Sequence, residues 1–232
     1  MIKTTLLAIT TMLVAVTQAQ TADEIINKHI EAIGGKEKLS QVKSMYMENS
    51  MEIMGNKAPV TTYLLEGKGF KSETEFNGSK IIQCFNDKGG WSVNPMMGSS
   101  SPEAMPAEMY QAGKDNLYAA GALVDYAAKG SKIELLAKDG GNYQLKVTNG
   151  PIESLYFIDP ATWYITKTII KGEMMGQKID IVTTFSDYKK TDFGIVVPYT
   201  KNVDMGSFSM PSTITKLEIN KELDSSIFEM PK

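Results

Sequence analysis

The sequence predicts an α+β protein: one large curved antiparallel sheet of about eleven strands, with an N-terminal helix and a two-helix insertion covering its concave face. Isoleucines recur at three- and four-residue spacing between Ile25 and Ile33, which is the period of a helix. Most of the later chain alternates apolar and polar residues in short segments separated by Gly, Asn and Asp, as antiparallel hairpins do. A stretch near residues 101–130 interrupts this pattern with helix signals.

The first nineteen residues have the pattern of a cleavable signal peptide. Lys3 precedes an apolar run over residues 6–16, which is too short to span a bilayer, and Thr17-Gln18-Ala19 supplies small residues for cleavage. We therefore expect residues 1–19 to be removed and residues 20–232 to form a single domain. The residue directly after the cleavage site is Gln20 and not a cysteine that could carry a lipid, so a soluble exported protein is predicted and not a lipoprotein.

The N-terminal helix and the first strand are the clearest elements. Asp23 and Glu24 stand near the positive end of the helix, and Gly34-Gly35 ends it. From residue 44 the period changes to two, which predicts a half-buried strand. One face of this strand carries Met45, Met47, Met51 and Ile53, with Asn49 as its only polar interruption.

Short strands separated by turn signals make up most of the remaining prediction. They cover residues 60–66, 68–76, 79–86, the surroundings of Trp91, 132–138, 142–148, 152–158, 163–171, 177–188, 195–205 and 213–220. In the middle, Ser101-Pro102-Glu103 has the order of a helix start. Gly113 separates that helix from a second one predicted over about 115–129.

Charge and cysteine content exclude several classes of function. The net charge is −3 and all 24 basic residues are lysines, so the chain lacks the basic field and the arginine forks that favour nucleic acid. Cys84 is the one cysteine, which excludes an intramolecular disulfide and a cysteine metal cluster. Its apolar neighbours predict a buried, inert thiol.

The residues offer no recognisable catalytic set. His29 is the only histidine and lies among isoleucines, where a structural role is expected. No serine stands in a G-x-S-x-G setting and no H-E-x-x-H pattern occurs. The sequence therefore predicts a protein that is not an enzyme and that uses no cofactor or metal. The alternative is an enzyme of unfamiliar design, which only an activity screen could find.

The 15 methionines suggest a different role, because flexible thioethers adapt to apolar ligands of irregular shape. The alternative is that they fill an ordinary core. The predicted ligand-facing residues lie on the first and third strands, near residue 91 and on the insertion. They are Met45, Met47, Met51, Ile53, Phe70, Phe76, Trp91, Met105, Met109, Leu117 and Val124.

Several stretches resemble a known family. They are residues 25–35 with Leu39 and Val42, Tyr156-Phe157-Ile158-Asp159-Pro160, residues 185–198, and the tail 220–231. Together they resemble the LolA-like group of periplasmic outer-membrane lipoprotein-sorting proteins, especially those typical of Bacteroidetes. The resemblance implies an incomplete β-barrel closed by helices around a hydrophobic cavity that shields acyl chains. The family's lid is tied by an arginine, and this chain has none.

The expectation that follows is an exported periplasmic carrier for a lipid or an acylated lipoprotein, monomeric, with inner- or outer-membrane envelope proteins as further partners. Burial of an acyl chain, at about 0.8 kcal/mol per CH₂, would supply the affinity. The alternative is a non-enzymatic interaction module of the cell envelope whose core is filled by its own side chains. Lipid retained by the purified protein would distinguish the carrier from the interaction module, because a core filled by side chains has no room for lipid.

Overall fold

The computed structural model describes residues 20–174, 177–206 and 208–231. For residues 172–174 and 177–179 it describes the backbone only. The predicted signal peptide lies outside the described residues. The helices are α1 (Ala22–Ala32), α2 (Lys36–Ser40) and α3 (Ala107–Gly113). The first six strands are β1 (Ser44–Ile53), β2 (Asn56–Leu65), β3 (Gly69–Phe76), β4 (Ser79–Asn86), β5 (Gly89–Asn94) and β6 (Ser99–Ala104). The remaining strands are β7 (Lys132–Asp139), β8 (Asn142–Asn149), β9 (Ile152–Ile158), β10 (Ile165–Met174), β11 (Gln177–Lys190), β12 (Val196–Asp204) and β13 (Ser209–Ile219).

All of these strands form one open antiparallel sheet. Its order is β6-β5-β4-β3-β2-β1-β13-β12-β11-β10-β9-β8-β7, so neighbours in the sheet are neighbours in the chain except at the centre, where β1 pairs with β13. The predicted antiparallel sheet is confirmed, but it has 13 strands and not about eleven; the predicted ranges correspond to twelve of them. The strand that the prediction lacked is β6, where Pro102 suggested a helix start; this proline lies on an edge strand, where a missing N–H is tolerated.

The sheet curls around α1. Leu64 on β2 and Leu145 on β8 belong to one packed core, although seven strand spacings separate their strands in the sheet order. In a flat sheet that separation would be about 34 Å, at roughly 4.8 Å per strand. Ile25, Ile26 and Ile30 of α1 are buried in the same core, so the helix fills one end of the concave side.

The predicted N-terminal helix is confirmed, and hydrogen bonds hold it near both of its ends. The Thr21 hydroxyl accepts from the Glu24 N–H while the Glu24 carboxylate accepts from the Thr21 N–H, which forms a capping box. Near the other end, the Nδ1 of His29 lies 2.8 Å from the Trp163 carbonyl oxygen. This hydrogen bond ties α1 to the loop between β9 and β10.

Residues 105–131, called here the linking segment, join the two edge strands β6 and β7. The segment begins with α3 and continues as a short 3₁₀ helix, Lys114–Leu117. The second helix predicted over 115–129 is wrong, because the chain forms turns there with positive φ at Gly121 (73°) and Asp125 (51°). Left-handed residues interrupt the helical hydrogen-bond pattern, and Gly121 favours that conformation.

A second, smaller core lies on the opposite face of the sheet. Cys84, Trp91 and Val93 pack there against Phe228 of the C-terminal 3₁₀ helix, Ser225–Phe228. The Phe228 carbonyl accepts from the Trp91 Nε1–H at 3.0 Å, from the Asn86 amide at 3.1 Å and from the Cys84 thiol at 3.4 Å. The C-terminal segment is therefore anchored to β4 and β5 by both apolar and polar contacts.

Across the part of the chain that the structure describes, every helix is too short or too polar to cross a bilayer.

Candidate ligand-binding cavity

A cavity of about 390 Å³ lies between the linking segment and the concave face of β8–β12. Its size falls in the range typical of small-molecule sites, roughly 300 to 1,000 Å³. Most of the lining is apolar. The residues around it are His29, Ile33, Leu39, Gln111, Ala112, Asp115, Asn116, Ala119, Ala120, Gly121, Ala122, Leu123, Val147, Asn149, Ile152, Ser154, Tyr156, Ile165, Thr168, Ile170, Phe185, Tyr188, Ile195, Val196, Val197 and Pro198.

The floor of the cavity follows from strand register. Tyr156 pairs with Thr168, and Ser154 pairs with both Ile170 and Val147. Residues opposite one another in a pair point to the same face of a sheet, and alternate residues along a strand share that face. The apolar side chains of three neighbouring strands therefore meet at the cavity, where Ile170 and Val147 flank the small Ser154.

Small side chains on the linking segment form much of the roof, beside the larger Gln111, Asn116 and Leu123. Ala112, Ala119, Ala120 and Ala122 face the floor, with Gly121 between them. Small residues leave room above the sheet that larger ones would fill. The roof is fixed to the first half of the sheet at Tyr110, whose hydroxyl donates to the Asn86 carbonyl at 2.9 Å.

Nine of the 26 lining residues are polar, and the protein environment disfavours the charged forms of those that titrate. Burial raises the pKa of Asp115, against the opposite effect of Lys129 and Lys114, and its Oδ1 has no hydrogen-bond partner among the described residues. Burial also raises the pKa of Tyr156. Burial lowers the pKa of His29, more than the hydrogen bond to Trp163 raises it. The site thus favours uncharged groups along its floor and roof.

Within the described residues, no group of three or more His, Cys, Asp or Glu side chains is arranged to hold a metal ion. His29 is buried and its Nδ1 is occupied by the Trp163 carbonyl. What the arrangement offers chemically is apolar surface that can cover a hydrocarbon chain.

The structure places four of the predicted ligand-facing residues on the concave face of β1. Met45 is buried in the core around α1, and Met47 is partly buried against it. Met51 and Ile53 follow toward the other end of the strand and are only half-buried. This face forms the same concave surface as the cavity, but the cavity itself lies on the neighbouring strands β8–β12.

The other predicted residues divide between the two faces of the sheet. Phe70 packs against the core around α1, and Phe76 is buried on the same face of β3. Trp91 lies on the opposite face, in the core with Phe228, because it pairs with Cys84 and not with Phe85. Its indole therefore cannot reach the cavity.

Four predicted residues belong to the linking segment. Leu117 and Val124 are buried, whereas Met109 is exposed. Val124 lines a second cavity of about 380 Å³ that also has Lys36, Glu66, Asp125 and Lys129 around it. Met105 packs on the backbone of Gly90. None of the eleven predicted side chains is among those that line the cavity under the roof.

Sequence reasoning missed the floor, because it assigned the ligand to the methionine-rich strand. The sequence does contain two signals for the floor residues. One is the alternation Ile152, Ser154, Tyr156, and the other is the pair Thr168 and Ile170. Each shows which residues share a face of one strand. Neither shows that this face lies under the linking segment, since that depends on the curl of the whole sheet.

Comparison with known proteins supports the fold. No family model matches the sequence, and no curated protein is significantly similar to it. Among solved structures, a LolA superfamily protein from Nitrosomonas europaea superposes with a TM-score of 0.60 at 12% identity, over 91% of this chain and 98% of that chain. A domain from Vibrio parahaemolyticus assigned to outer membrane lipoprotein sorting superposes with a TM-score of 0.58 at 14% identity, over 88% and 95% of the two chains. The predicted LolA-like fold is thereby confirmed: this chain has the fold of the LolA superfamily.

Proposed function

We propose that this protein is a periplasmic, non-enzymatic carrier that holds a lipid, or the acyl chains of a lipid-modified protein, in the cavity under the linking segment. The observation that carries the proposal is the cavity itself: mostly apolar side chains of the strands form its floor, and alanines form much of its roof. Hydrocarbon transferred into such a space leaves water without losing hydrogen bonds. The LolA-superfamily fold supports the same reading, since one similar structure is a lipoprotein-sorting domain.

The cavity suits a ligand recognised mainly by area. Ser154 is buried between Val147 and Ile170, so the floor is largely hydrocarbon where these strands meet. Each CH₂ group buried there would contribute about 0.8 kcal/mol. Envelope proteins that load or unload the ligand are the partners that this proposal implies, and nucleic acid is not one of them.

The direct test is extraction. Protein purified from the periplasm without detergent is analysed by native mass spectrometry, and its organic extract is analysed for lipids. We expect a fraction of the protein to carry one acyl-chain lipid. Protein that retains nothing, and that does not take up a fluorescent monoacylglycerol in titration, would support the interaction module with a self-filled core.

A steric variant tests the location of the ligand. Ser154→Phe places a ring in the cavity, and we expect it to abolish uptake of the fluorescent monoacylglycerol while the protein stays folded. Thr184→Phe is the matched control, because Thr184 is exposed and pairs with Lys167 outside the cavity lining. Equal uptake by both variants would place the ligand elsewhere.

Amide exchange tests whether the linking segment moves. Its turns and short helices contain fewer regular backbone hydrogen bonds than β11, so we expect residues 107–130 to exchange faster than residues 180–190. Bound monoacylglycerol should slow exchange in the segment. Protection that is uniform with and without lipid would indicate a fixed plug and argue against a carrier.

A further inference from the structure

Lys201 is a cation on the concave face of the sheet, beside the cavity. It lies on β12 directly opposite Phe185 of β11, and Phe185 lines the cavity. Paired residues project to the same face with their Cβ atoms about 5 Å apart. The lysine side chain therefore starts next to a lining residue and points to the same side of the sheet.

Register from the other half of the sheet gives the same orientation. Lys201 also pairs with Ser212 of β13, and Ser212 pairs with Met51 of β1. Met51 shares its face with Met45, which is buried in the core around α1. Two independent paths across the sheet thus place Lys201 on the concave side.

Lys201 has no counter-ion in the described part of the chain. It takes part in no ion pair there, and its neighbours in the row, Phe185, Ser212 and Met51, are uncharged. Lys216 on the outer surface, by contrast, lies near both Glu48 and Glu218. Lys201 is exposed to solvent on the inner side of the curl, and partial desolvation by the surrounding strands lowers its pKa, with no charged neighbour contributing.

An exposed cation that has no counter-ion and lies beside an apolar cavity can form a charge-assisted contact with an anion placed against it. We propose that the ligand is an anionic amphiphile whose acyl chain lies in the cavity and whose carboxylate or phosphate head group pairs with Lys201. This inference rests on the proposed carrier function and specifies its ligand class. Carboxylate and phosphate would use the same charge-assisted contact, so both are tested.

The experiment titrates three probes, palmitate, palmitoyl lysophosphatidate and monopalmitoylglycerol, against the wild type and three variants. Lys201→Met removes the charge and keeps an unbranched side chain, and Lys201→Arg keeps the charge. Lys216→Met is the control on the outer surface. We expect Lys201→Met to weaken binding of at least one anionic probe by about tenfold or more, as loss of a charge-assisted hydrogen bond does. Monopalmitoylglycerol should bind all four proteins equally.

The outcomes separate the two proposals. The anionic probe that loses more affinity identifies the head group. If Lys201→Met binds both anionic probes as tightly as the wild type does, or weakens the neutral probe equally, the role of Lys201 is refuted while the carrier stands. If no probe binds the wild type, the carrier function fails, and the ligand class fails with it. Retained affinity in Lys201→Arg confirms that charge is what matters.

Discussion

Gly113 lies directly against the ring of Phe85: a Cβ atom on residue 113 would stand 2.3 Å from the Cε1 and Cζ atoms of that ring. Tyr110 stacks on the same ring, with the two centroids 6.3 Å apart. These contacts fix α3 to β4 and so set where the roof of the cavity begins. Glycine is needed at 113 for space and not for an unusual backbone angle, since its φ is −102°.

Gly113→Ala should therefore destabilise the protein by about 1 to 3 kcal/mol, through overpacking. The measurement is urea denaturation. In a Phe85→Leu background the same change should cost less, because the ring that it meets is gone. Equal costs in the two backgrounds would show that the contact does not limit the packing of α3.

The single histidine makes stability depend on pH near neutrality. Burial lowers the pKa of His29 in the fold below its ordinary value of 6.5, so the unfolded chain binds a proton that the folded chain does not. Stability should be complete above about pH 7.5 and fall as the pH drops through 6.5 toward the lower folded value.

His29→Gln tests this assignment, because an amide can still donate to the Trp163 carbonyl but does not titrate. Its unfolding free energy should be nearly flat between pH 7.5 and 5.5, a window in which ordinary carboxylates remain ionised. Asp115 changes the free energy of unfolding in the opposite direction: because its pKa is raised in the fold, its contribution to stability increases as the pH falls. A wild-type slope that survives in His29→Gln would contradict the prediction.

Cys84 reports on the attachment of the C-terminal segment. The thiol is fully buried, and burial raises its pKa to about 12, so almost no thiolate is present at pH 8. We expect thiol reagents to label the native protein very slowly. Phe228→Ala should accelerate labelling and cost about 3 to 5 kcal/mol, because it empties the core on that face.

Met230→Ala is the control for this experiment, since Met230 is exposed only two residues away. Its labelling rate should equal that of the wild type. Fast labelling of the wild type itself would mean that the segment opens without any mutation, and the Phe228 anchor would then be weak.

The methionines of β1 should differ in their tolerance of charge along the strand. Met45 is 5% exposed in the core around α1, whereas Met51 is half-buried on the open concave surface. Met45→Glu should destabilise the fold by several kcal/mol because it buries an unpaired carboxylate. Met51→Glu should cost little, because water reaches its side chain. The measurement is the thermal unfolding of the two variants under the same conditions. Equal losses of stability would refute an open concave surface near Met51.

Much of the sheet could be predicted because its causes are local. The alternation from Met45 to Ile53 and the Asn77-Gly78 turn each specify their own strand or hairpin. Strand β6 was missed because its residues, Ser99 to Ala104, do not alternate and include Pro102. The second predicted helix failed because a stripe of small apolar residues cannot outweigh the left-handed turns at Gly121 and Asp125.

The apolar character of the candidate site could be predicted from the sequence, but its location could not. The composition indicated an apolar container, and the concave face of β1 was identified correctly as pointing inward. The cavity lies elsewhere, because the floor at Ser154 and Tyr156 and the roof at Ala119 are brought together by the curl of the sheet. That curl depends on how α1 packs between strands far apart in the chain, which periodicity within one strand does not encode.

The pairing of β1 with β13 has a consequence for how the protein is made. Strand β1 pairs on one side with β13, which lies near the end of the chain. The hydrogen-bond donors of Cys84, Asn86 and Trp91 likewise have no acceptor at Phe228 until that residue has been synthesised. Two separate halves of the sheet can form during synthesis, but neither encloses α1 alone. We expect the chain to stay incompletely folded until its last residues leave the ribosome.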